Sequence, residues 1–526
     1  MHSIISDRKK YEKIYVLIFI SSLLLYLANF LIQGQIVFSY SDLYGILFKM
    51  NVLFWLGLVF LIILIWYQAM NFNKIDEKYV FITFLLLTIY FIGTPFFYEY
   101  LPRFEDTWSH SFLSQEIFRN EKVAIGISIY EEYSGAFLFH GLLFQLVPQY
   151  YVMKFFPPLF YVFGLVVIYL LSKRLFNGKM AFLSSILYLF FNWTIEDNHI
   201  SPQFLMLNVY FLFLLALVKL LTNDKNKKFY FLAPLLIIPA IVFSHPGTPI
   251  FLILILGSIF IFCKKLRSLP FFLIIICLIG CFMLYHINLS ITYFSYIKYI
   301  KHFFEVLLAG EFSRTTQRFV TNLISRQIFI TLRIGTLLSS VFIGLLGIFA
   351  LYKKKDVTGA KFFFFWSFSV IAFSAFVALA LKGEYYEKFV MISSLPLAIV
   401  STYLIESKFS GKWILILFLF LVPIYFITKY GNEAFESLSL QKLNTDCYYY
   451  KFNTECLKDQ EIVDARLDYE IKTFGTEHFT VSREEFLTSS ILLDKSIDEV
   501  IILFEERISE TRLNRVFSTY TSGVYR

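Results

Sequence analysis

The sequence predicts an α-helical polytopic membrane protein with about 13 transmembrane helices, its N-terminus inside and its C-terminus outside, closed by a small extracytoplasmic α/β domain. Three observations predict it: composition, a succession of long apolar runs, and the distribution of Lys and Arg between them. Of 526 residues, 58% are apolar and only 16% are charged, against about 25% charged in soluble domains. Phe contributes 65 residues and Tyr 35. So little charge cannot coat the several soluble domains that this length would otherwise make. A disordered chain, a basic nucleic-acid-binding protein and an ordinary soluble enzyme are thereby excluded. The net charge of +8 reports orientation, because Lys and Arg collect on the cytoplasmic side.

A helix needs about 20 mainly apolar residues to cross the hydrocarbon core. The runs that qualify, some of them short, are 14–33, 48–69, 79–98, 154–172, 180–195, 203–221, 230–243, 250–263, 270–288, 332–352, 362–381, 389–405 and 413–429. The first follows Arg8, Lys9, Lys10 and Lys13, is too long for the apolar part of a signal peptide and has no small-residue cleavage site, so it reads as an anchor. With the N-terminus inside, the segments 1–13, 70–78, 173–179, 222–229, 264–269, 353–361 and 406–412 face the cytoplasm and carry 21 Lys and Arg. The short outer loops 34–47, 196–202, 244–249 and 382–388 carry 2. That asymmetry is the positive-inside pattern.

Residues 135–147, GAFLFHGLLFQLV, are apolar and helix-like. A crossing here would turn every later basic loop outward, and thirteen residues are too few to span. The segment therefore lies in the outer interface as an amphipathic or re-entrant helix. Three large outer regions result: 99–153, 289–331 and 430–526. The division is an N-terminal hairpin (1–78), a transmembrane core (79–429) and a soluble tail (430–526). No internal repeat is visible, which disfavours inverted-repeat transporters. In the tail, 499–504 (EVIILF) reads as a buried strand and 483–490 as a short helix. Cys263, Cys277 and Cys281 lie in apolar runs and read as small core residues. Cys447 and Cys456 lie outside, nine apart, and are either a disulfide or two thiols.

The first large loop opens LPRFEDTWSHSFLSQEIF (101–118). Glu105 and Asp106 are adjacent acids just beyond a helix end, and His110 follows Asp106 by four, on the same face of a helix. A carboxylate among aromatics at the bilayer surface is a candidate for a tuned pKa and for general-base work on a hydroxyl. The plainer reading makes Asp106 the N-cap of the next helix. Residues 195–203, IEDNHISPQ, supply Glu196, Asp197, His199 and Gln203; residues 244–249, SHPGTP, supply His245. Outward cations follow: Arg314, Arg318 and Arg326, then Arg333 at the next helix start, and Lys382 and Lys388 in the last short outer loop. They suit either phosphate recognition, which guanidinium matches well, or lipid-headgroup contact.

Together these features resemble the GT-C superfamily, integral-membrane glycosyltransferases that use polyprenyl-phosphate-linked sugars. The layout of 99–153 is similar: a long outer loop that carries an acid soon after a core helix and ends in an interfacial helix. EDTWSH (105–110) resembles the family's acid-plus-histidine opening, and EYSGAFLFHGLLFQL (132–146) its interfacial stretch, with Ser134 where proline is common. Residues 157–188 resemble the next two helices, SPQ (201–203) and HPGTP (245–249) resemble motifs of archaeal-type members, and RVFSTYTSGVYR (515–526) resembles their closing strand pair. Two departures are the extra spans 14–33 and 48–69, and Lys388 where arginine is frequent.

The resemblance implies that Asp106 is the catalytic base, with Glu105 as fallback. The acceptor hydroxyl attacks the anomeric carbon opposite the lipid phosphate, with inversion. Glu196 or Asp197 orients the acceptor, with His199 and Gln203 on the substrate side, and His110 and His245 support the pocket. Lys388 and one or more of Arg314, Arg318, Arg326 and Arg333 stabilise the departing phosphate. A divalent cation, Mg or Mn, on Asp106, Glu196 and Asp197 is left open, since metal dependence varies within the superfamily. The partners implied are the lipid-linked donor, a glycan, lipid or protein acceptor, and membrane lipids, with no nucleic acid. The expected location is the cell membrane, multi-pass, with an extracytoplasmic active site. A transporter or flippase would instead carry ionisable residues at mid-membrane, and a surface-glycan polymerase or ligase would rely on arginines in a large outer loop.

Overall fold

The computed structural model describes residues 2–34, 36, 49–99, 102, 105–120, 132–192, 199–222, 227–245, 247–263, 267–286, 324–352, 366–370, 386–408, 411–430, 500–502, 515–518 and 523–525. Its helices are α1 (His2–Gln33), α2 (Val52–Met70), α3 (Lys78–Tyr98), α4 (Glu105–Asn120), α5 (Gly135–Leu146), α6 (Gln149–Leu175) and α7 (Gly178–Phe191). They continue with α8 (Pro202–Thr222), α9 (Lys227–Ser244), α10 (Gly247–Phe262), α11 (Leu269–His286), α12 (Ile324–Tyr352), α13 (Tyr386–Lys408) and α14 (Gly411–Tyr430). Among the described residues, 8 helices are long and apolar enough to cross a membrane, and shorter apolar helices accompany them. The chain is a polytopic helical membrane protein.

Every predicted span except 362–381, of which only 366–370 are described, falls on one of these helices. Helix α1 starts at His2 rather than near residue 14, because nothing in residues 2–13 breaks a helix. Helix α7 is only 14 residues long, short of a full crossing; it is buried almost throughout, so its ends are met by protein rather than lipid. Helix α5 has 12 residues, about 18 Å of rise, in keeping with an interfacial piece. One element had no sequence signal: a π-turn over Ile89–Gly93 inside α3. The cysteine reading needs correction. Cys263 is buried, but Cys277 is exposed, because α11 turns the face of Leu273, Ile276 and Leu284 outward. Cys447 and Cys456 lie outside the described residues, as does the helix expected at 483–490.

Hydrophobic burial does not drive helix association in lipid, so packing and interhelical hydrogen bonds must do so. Helix α1 is joined to the core by a polar stripe at a seven-residue interval. The Tyr15 hydroxyl meets Thr83 Oγ1 at 2.7 Å, and Thr83 donates to Gln68 Oε1 at 2.6 Å. Ser22 donates to the carbonyl of Gly57 at 2.8 Å and its own carbonyl accepts from Tyr90 at 2.8 Å. Asn29 donates to the Tyr98 hydroxyl at 2.5 Å. Bonds of this kind average about 0.6 kcal/mol within membranes. At the end of the bundle where the basic loops lie, Arg8 pairs with Asp76 at 2.7 Å, Lys179 with Glu406 at 3.2 Å, and Lys173 with Glu77.

In the tail, β1 (Val500–Ile502), β2 (Arg515–Ser518) and β3 (Gly523–Tyr525) form an antiparallel sheet of order β1-β3-β2. β1 falls on the strand expected at 499–504, and β2 with β3 on the expected closing pair.

Two outcomes follow for stability. At Gly347, α12 passes so close to α13 that a Cβ would strike the carbonyl of Val400. Gly347→Ala is therefore expected to cost about 1–3 kcal/mol, read as a lower thermal midpoint in nanodiscs. The Lys173 ammonium, with help from Tyr169, holds the Glu77 carboxyl below its usual range. A depressed carboxylate stabilises above its unfolded pKa and loses that contribution as pH falls through the folded value. The pair is partly exposed, so Glu77→Gln is expected to cost at most about 1 kcal/mol at neutral pH. The gap from wild type should close below about pH 4.

Candidate functional site

The end of the bundle opposite the basic loops collects the C-termini of α3, α7, α9, α11 and α14 and the N-termini of α6, α8, α10, α12 and α13. Helix ends expose backbone groups without helical partners, and side chains here supply them. Ser201 caps α8 by accepting from the Phe204 amide at 3.0 Å, with Pro202 in the first helical position, where a missing N–H costs nothing. His245 caps α10: its Nδ1 accepts from the Thr248 amide at 3.2 Å and lies 2.9 Å from the Thr248 hydroxyl. The SPQ and HPGTP motifs thus have a local structural role.

Helix α4 begins at Glu105, so Asp106 stands in its first turn rather than at the cap, a correction to the N-cap reading. One turn on, His110 is buried at 7% exposure. Its Nδ1 is 2.9 Å from the carbonyl of Ile200, so this nitrogen carries the proton in the neutral ring. The His110 ring stacks on His199, with centroids 6.0 Å apart and planes 6° from parallel. His199 is itself buried. The stack joins two acid-bearing segments. Asp106 is about 6 Å of helical rise from His110, and Asp197 is two residues, at most about 7 Å of chain, from His199.

A third imidazole completes the cluster. His140 of α5 is fully buried, and among the described residues neither of its ring nitrogens has a hydrogen-bond partner. Burial, reinforced by His110 and His199 nearby, pushes it down to about 3, so it is neutral at physiological pH. Gln203 is also buried, and its Oε1 is without a partner among the described residues.

Helix α5 is pinned at its start by two adjacent residues facing two others. The Tyr133 hydroxyl meets His286 Nε2 at 2.6 Å, and the Tyr285 hydroxyl donates to the carbonyl of Glu132. Glu132 is fully buried.

Buried cations stand at the same end. Arg333 Nε donates to the carbonyl of Thr428 at 2.8 Å. Beside that residue, Lys429 is fully buried, 3.5 Å from the carbonyl of Asn192 and over the rings of Tyr161 and Tyr425. Lys154 is buried near Tyr150, within electrostatic reach of Glu99. The structure therefore brings His110, His199, Gln203 and Arg333 to one end of the bundle, with His245 at a helix cap on that end. Arg326 and Lys388 lie on the first turns of α12 and α13 with side chains outside the described set, as are those of Glu105 and Asp106. Glu196, Asp197, Arg314, Arg318 and Lys382 lie outside the described residues. Sequence reasoning did not single out Glu99, Glu132, His140, Lys154 or Lys429. The available signal for the two lysines was a lone charge at the edge of an apolar run.

No protein-family model and no curated protein matches the sequence. Among solved structures, the chain is similar to ArnT from Cupriavidus metallidurans bound to undecaprenyl phosphate, with 10% identity and a TM-score of 0.51, over 85% of this chain and 97% of that one. The chain has a GT-C fold. The resemblance drawn from the sequence holds at that level. An Archaeoglobus fulgidus oligosaccharyltransferase tethered with an acceptor peptide is a more distant neighbour, at 12% identity and a TM-score of 0.47, over 74% of this chain and 59% of that one. The same enzyme in complex with Zn and sulfate gives a TM-score of 0.43 at 12% identity, over 77% and 57%. The chain thus spans well under two thirds of the oligosaccharyltransferase.

Among the described residues, no group of three or more His, Cys, Asp and Glu is arranged to hold a metal ion. The three imidazoles do not make a ligand set, and the acids nominated for one have no described side chains.

A buried polar group without a partner costs about 1–3 kcal/mol. Replacing His140 by Leu is therefore expected to leave the thermal midpoint unchanged or raise it. A fall of several degrees would mean that the imidazole is bonded in the resting protein.

Proposed function

We propose that the protein is a membrane glycosyltransferase that moves a sugar from a polyprenyl-phosphate-linked donor to an acceptor hydroxyl, on the extracytoplasmic face. The observation that carries this reading is the stack of His110 on His199 at the end of a GT-C fold. It brings α4, whose first turn carries Glu105 and Asp106, to His199, which follows Glu196 and Asp197 in the sequence. Two carboxylate pairs close in sequence to the two stacked imidazoles suit an enzyme that must take a proton from one hydroxyl while holding its neighbours. The undecaprenyl phosphate bound to ArnT supports a lipid phosphate as the carrier.

In the proposed reaction, Asp106 accepts the proton of the acceptor hydroxyl, with Glu105 as its substitute. The acceptor oxygen forms a bond to the anomeric carbon. The bond from that carbon to the phosphate oxygen breaks, and the lipid phosphate leaves with the electron pair. Attack from the face opposite the phosphate inverts the anomeric centre. Asp197 or Glu196 orients the acceptor, with His199 and Gln203 beside it. Arg333 and Lys429, both buried, favour the charge that develops on the leaving phosphate, joined by Lys388 and one or more of Arg314, Arg318 and Arg326. Any Mg or Mn would be held by Asp106, Glu196 and Asp197.

The test is Asp106→Asn, assayed with undecaprenyl-phosphate-linked sugars in nanodiscs. Loss of a general base costs about 10²–10⁴-fold, so turnover should fall by at least that lower bound while the thermal midpoint holds. Full retained turnover would remove Asp106 from the base role.

A further inference from the structure

We propose that the outward face of α1 is a docking surface for anionic phospholipid, in the leaflet at the basic end of the bundle. The surface joins exposed lysines to an exposed aliphatic stripe. It takes no part in the glycosyl transfer proposed for the opposite end.

Helix α1 divides its charges between two sides. On one side, Arg8 pairs with Asp76 at 2.7 Å and with Glu12 at 3.0 Å, and the Tyr11 hydroxyl accepts from the Lys74 ammonium at 2.8 Å. That side continues down the helix as Tyr15, Ser22, Tyr26 and Asn29, all buried. It is the side bonded to α2 and α3 through Thr83, Gly57 and Tyr98. Lys9 and Lys13 stand on the opposite side, one turn apart, with Lys10 next to them. All three are exposed, and among the described residues no carboxylate pairs with any of them. Their line is continued by Leu17, Ile20, Leu24, Leu27 and Leu31 at alternating steps of four and three residues, which keeps one face of a helix. All five are exposed, and most of the span is not buried within the protein.

The chain supplies carboxylates to Arg8, Lys173 and Lys179 at this end and supplies none to the three lysines that face outward. The partner that complements them carries negative charge at the membrane surface. A lysine near a helix end extends its ammonium to the headgroup level while its stem stays in hydrocarbon, where anionic lipid phosphates attract it. From Lys13 to Leu24 the helix rises about 16 Å, half of a hydrocarbon core of about 30 Å. One acyl chain can therefore lie along Leu17, Ile20 and Leu24 while its phosphate meets Lys9 and Lys13. A second membrane helix fits this face less well. Such interfaces use small residues that let backbones approach, and the five exposed positions are all Leu or Ile.

The test titrates the full chain in neutral detergent with dioleoyl phosphatidylglycerol and dioleoyl phosphatidylcholine, counting bound lipids by native mass spectrometry. The two probes share their acyl chains, so a difference between them reads the head. The variants are the double Lys9→Gln, Lys13→Gln and the double Lys9→Arg, Lys13→Arg. The control is the double Arg174→Gln, Lys412→Gln, which removes the same charge from two other exposed cations. Each lysine at an anionic surface is worth about fivefold in affinity. The glutamine double should therefore bind phosphatidylglycerol about 25-fold more weakly, with its phosphatidylcholine binding and thermal midpoint unchanged. The arginine double should bind as wild type does, and the control should change by less than about twofold. The wild-type preference for phosphatidylglycerol should shrink as salt is raised. An equal loss in the control, or no loss in the glutamine double, would reduce the lysines to setting helix orientation and overturn the proposal. A dimer of the chain that disappears in the glutamine double, with phosphatidylglycerol binding intact, would assign the face to self-association and overturn it as well.

Discussion

Inside a bilayer, every polar group must find its partner within the protein. That constraint organises the molecule. Mid-bundle, polar side chains of α1 and α3 are taken up by bonds between helices, such as Ser22 with the carbonyl of Gly57 and Tyr90 with the carbonyl of Ser22. At helix ends, by contrast, the backbone runs out of internal partners. Ser201, His245 and Arg333 are there because carbonyls and amides need them. Placing reactive side chains among these caps adds little disturbance to the fold, whereas a carboxylate placed two turns deeper would need a counter-charge in hydrocarbon.

The candidate site follows from the same constraint. His110 spends one nitrogen on a backbone carbonyl and lays its ring on His199, so an interaction that satisfies the backbone also sets the distance between two acid-bearing segments. His140 does not obey the rule among the described residues. A buried imidazole with two open nitrogens is a local cost, and such costs are tolerated where function requires them. The cations divide in a similar way. Lys173 and Lys179 are neutralised by the chain's own acids at the basic end. Arg333 and Lys429 are instead buried against carbonyls and rings at the opposite end.

The fold was largely legible because it is written in run length. Twenty apolar residues admit few interpretations, and the thirteen of GAFLFHGLLFQLV are too few to cross, in keeping with the short helix α5. EDTWSH and ISPQ were legible because acid, histidine, serine and proline cluster there against an apolar background. The rest was hidden for physical reasons. His140 stands in an apolar helix and has no polar neighbour in sequence. Lys154 and Lys429 each look like the ordinary edge of a span. Tyr133 and His286 are 153 positions apart, and only the packing of α5 against α11 joins them. The π-turn at Ile89–Gly93 is not reported by the length or the apolar character of its run.

The paired bonds at the start of α5 have a mechanical meaning. A helix held by one hydrogen bond can swivel about it, as a door swings on a single pin. Tyr133 on His286 and Tyr285 on the carbonyl of Glu132 make two pins set one residue apart on each side. The segment that leads into α5 is then held in direction as well as in position. The entry to the helix that carries His140 is thereby tied to the end of α11 at two neighbouring points.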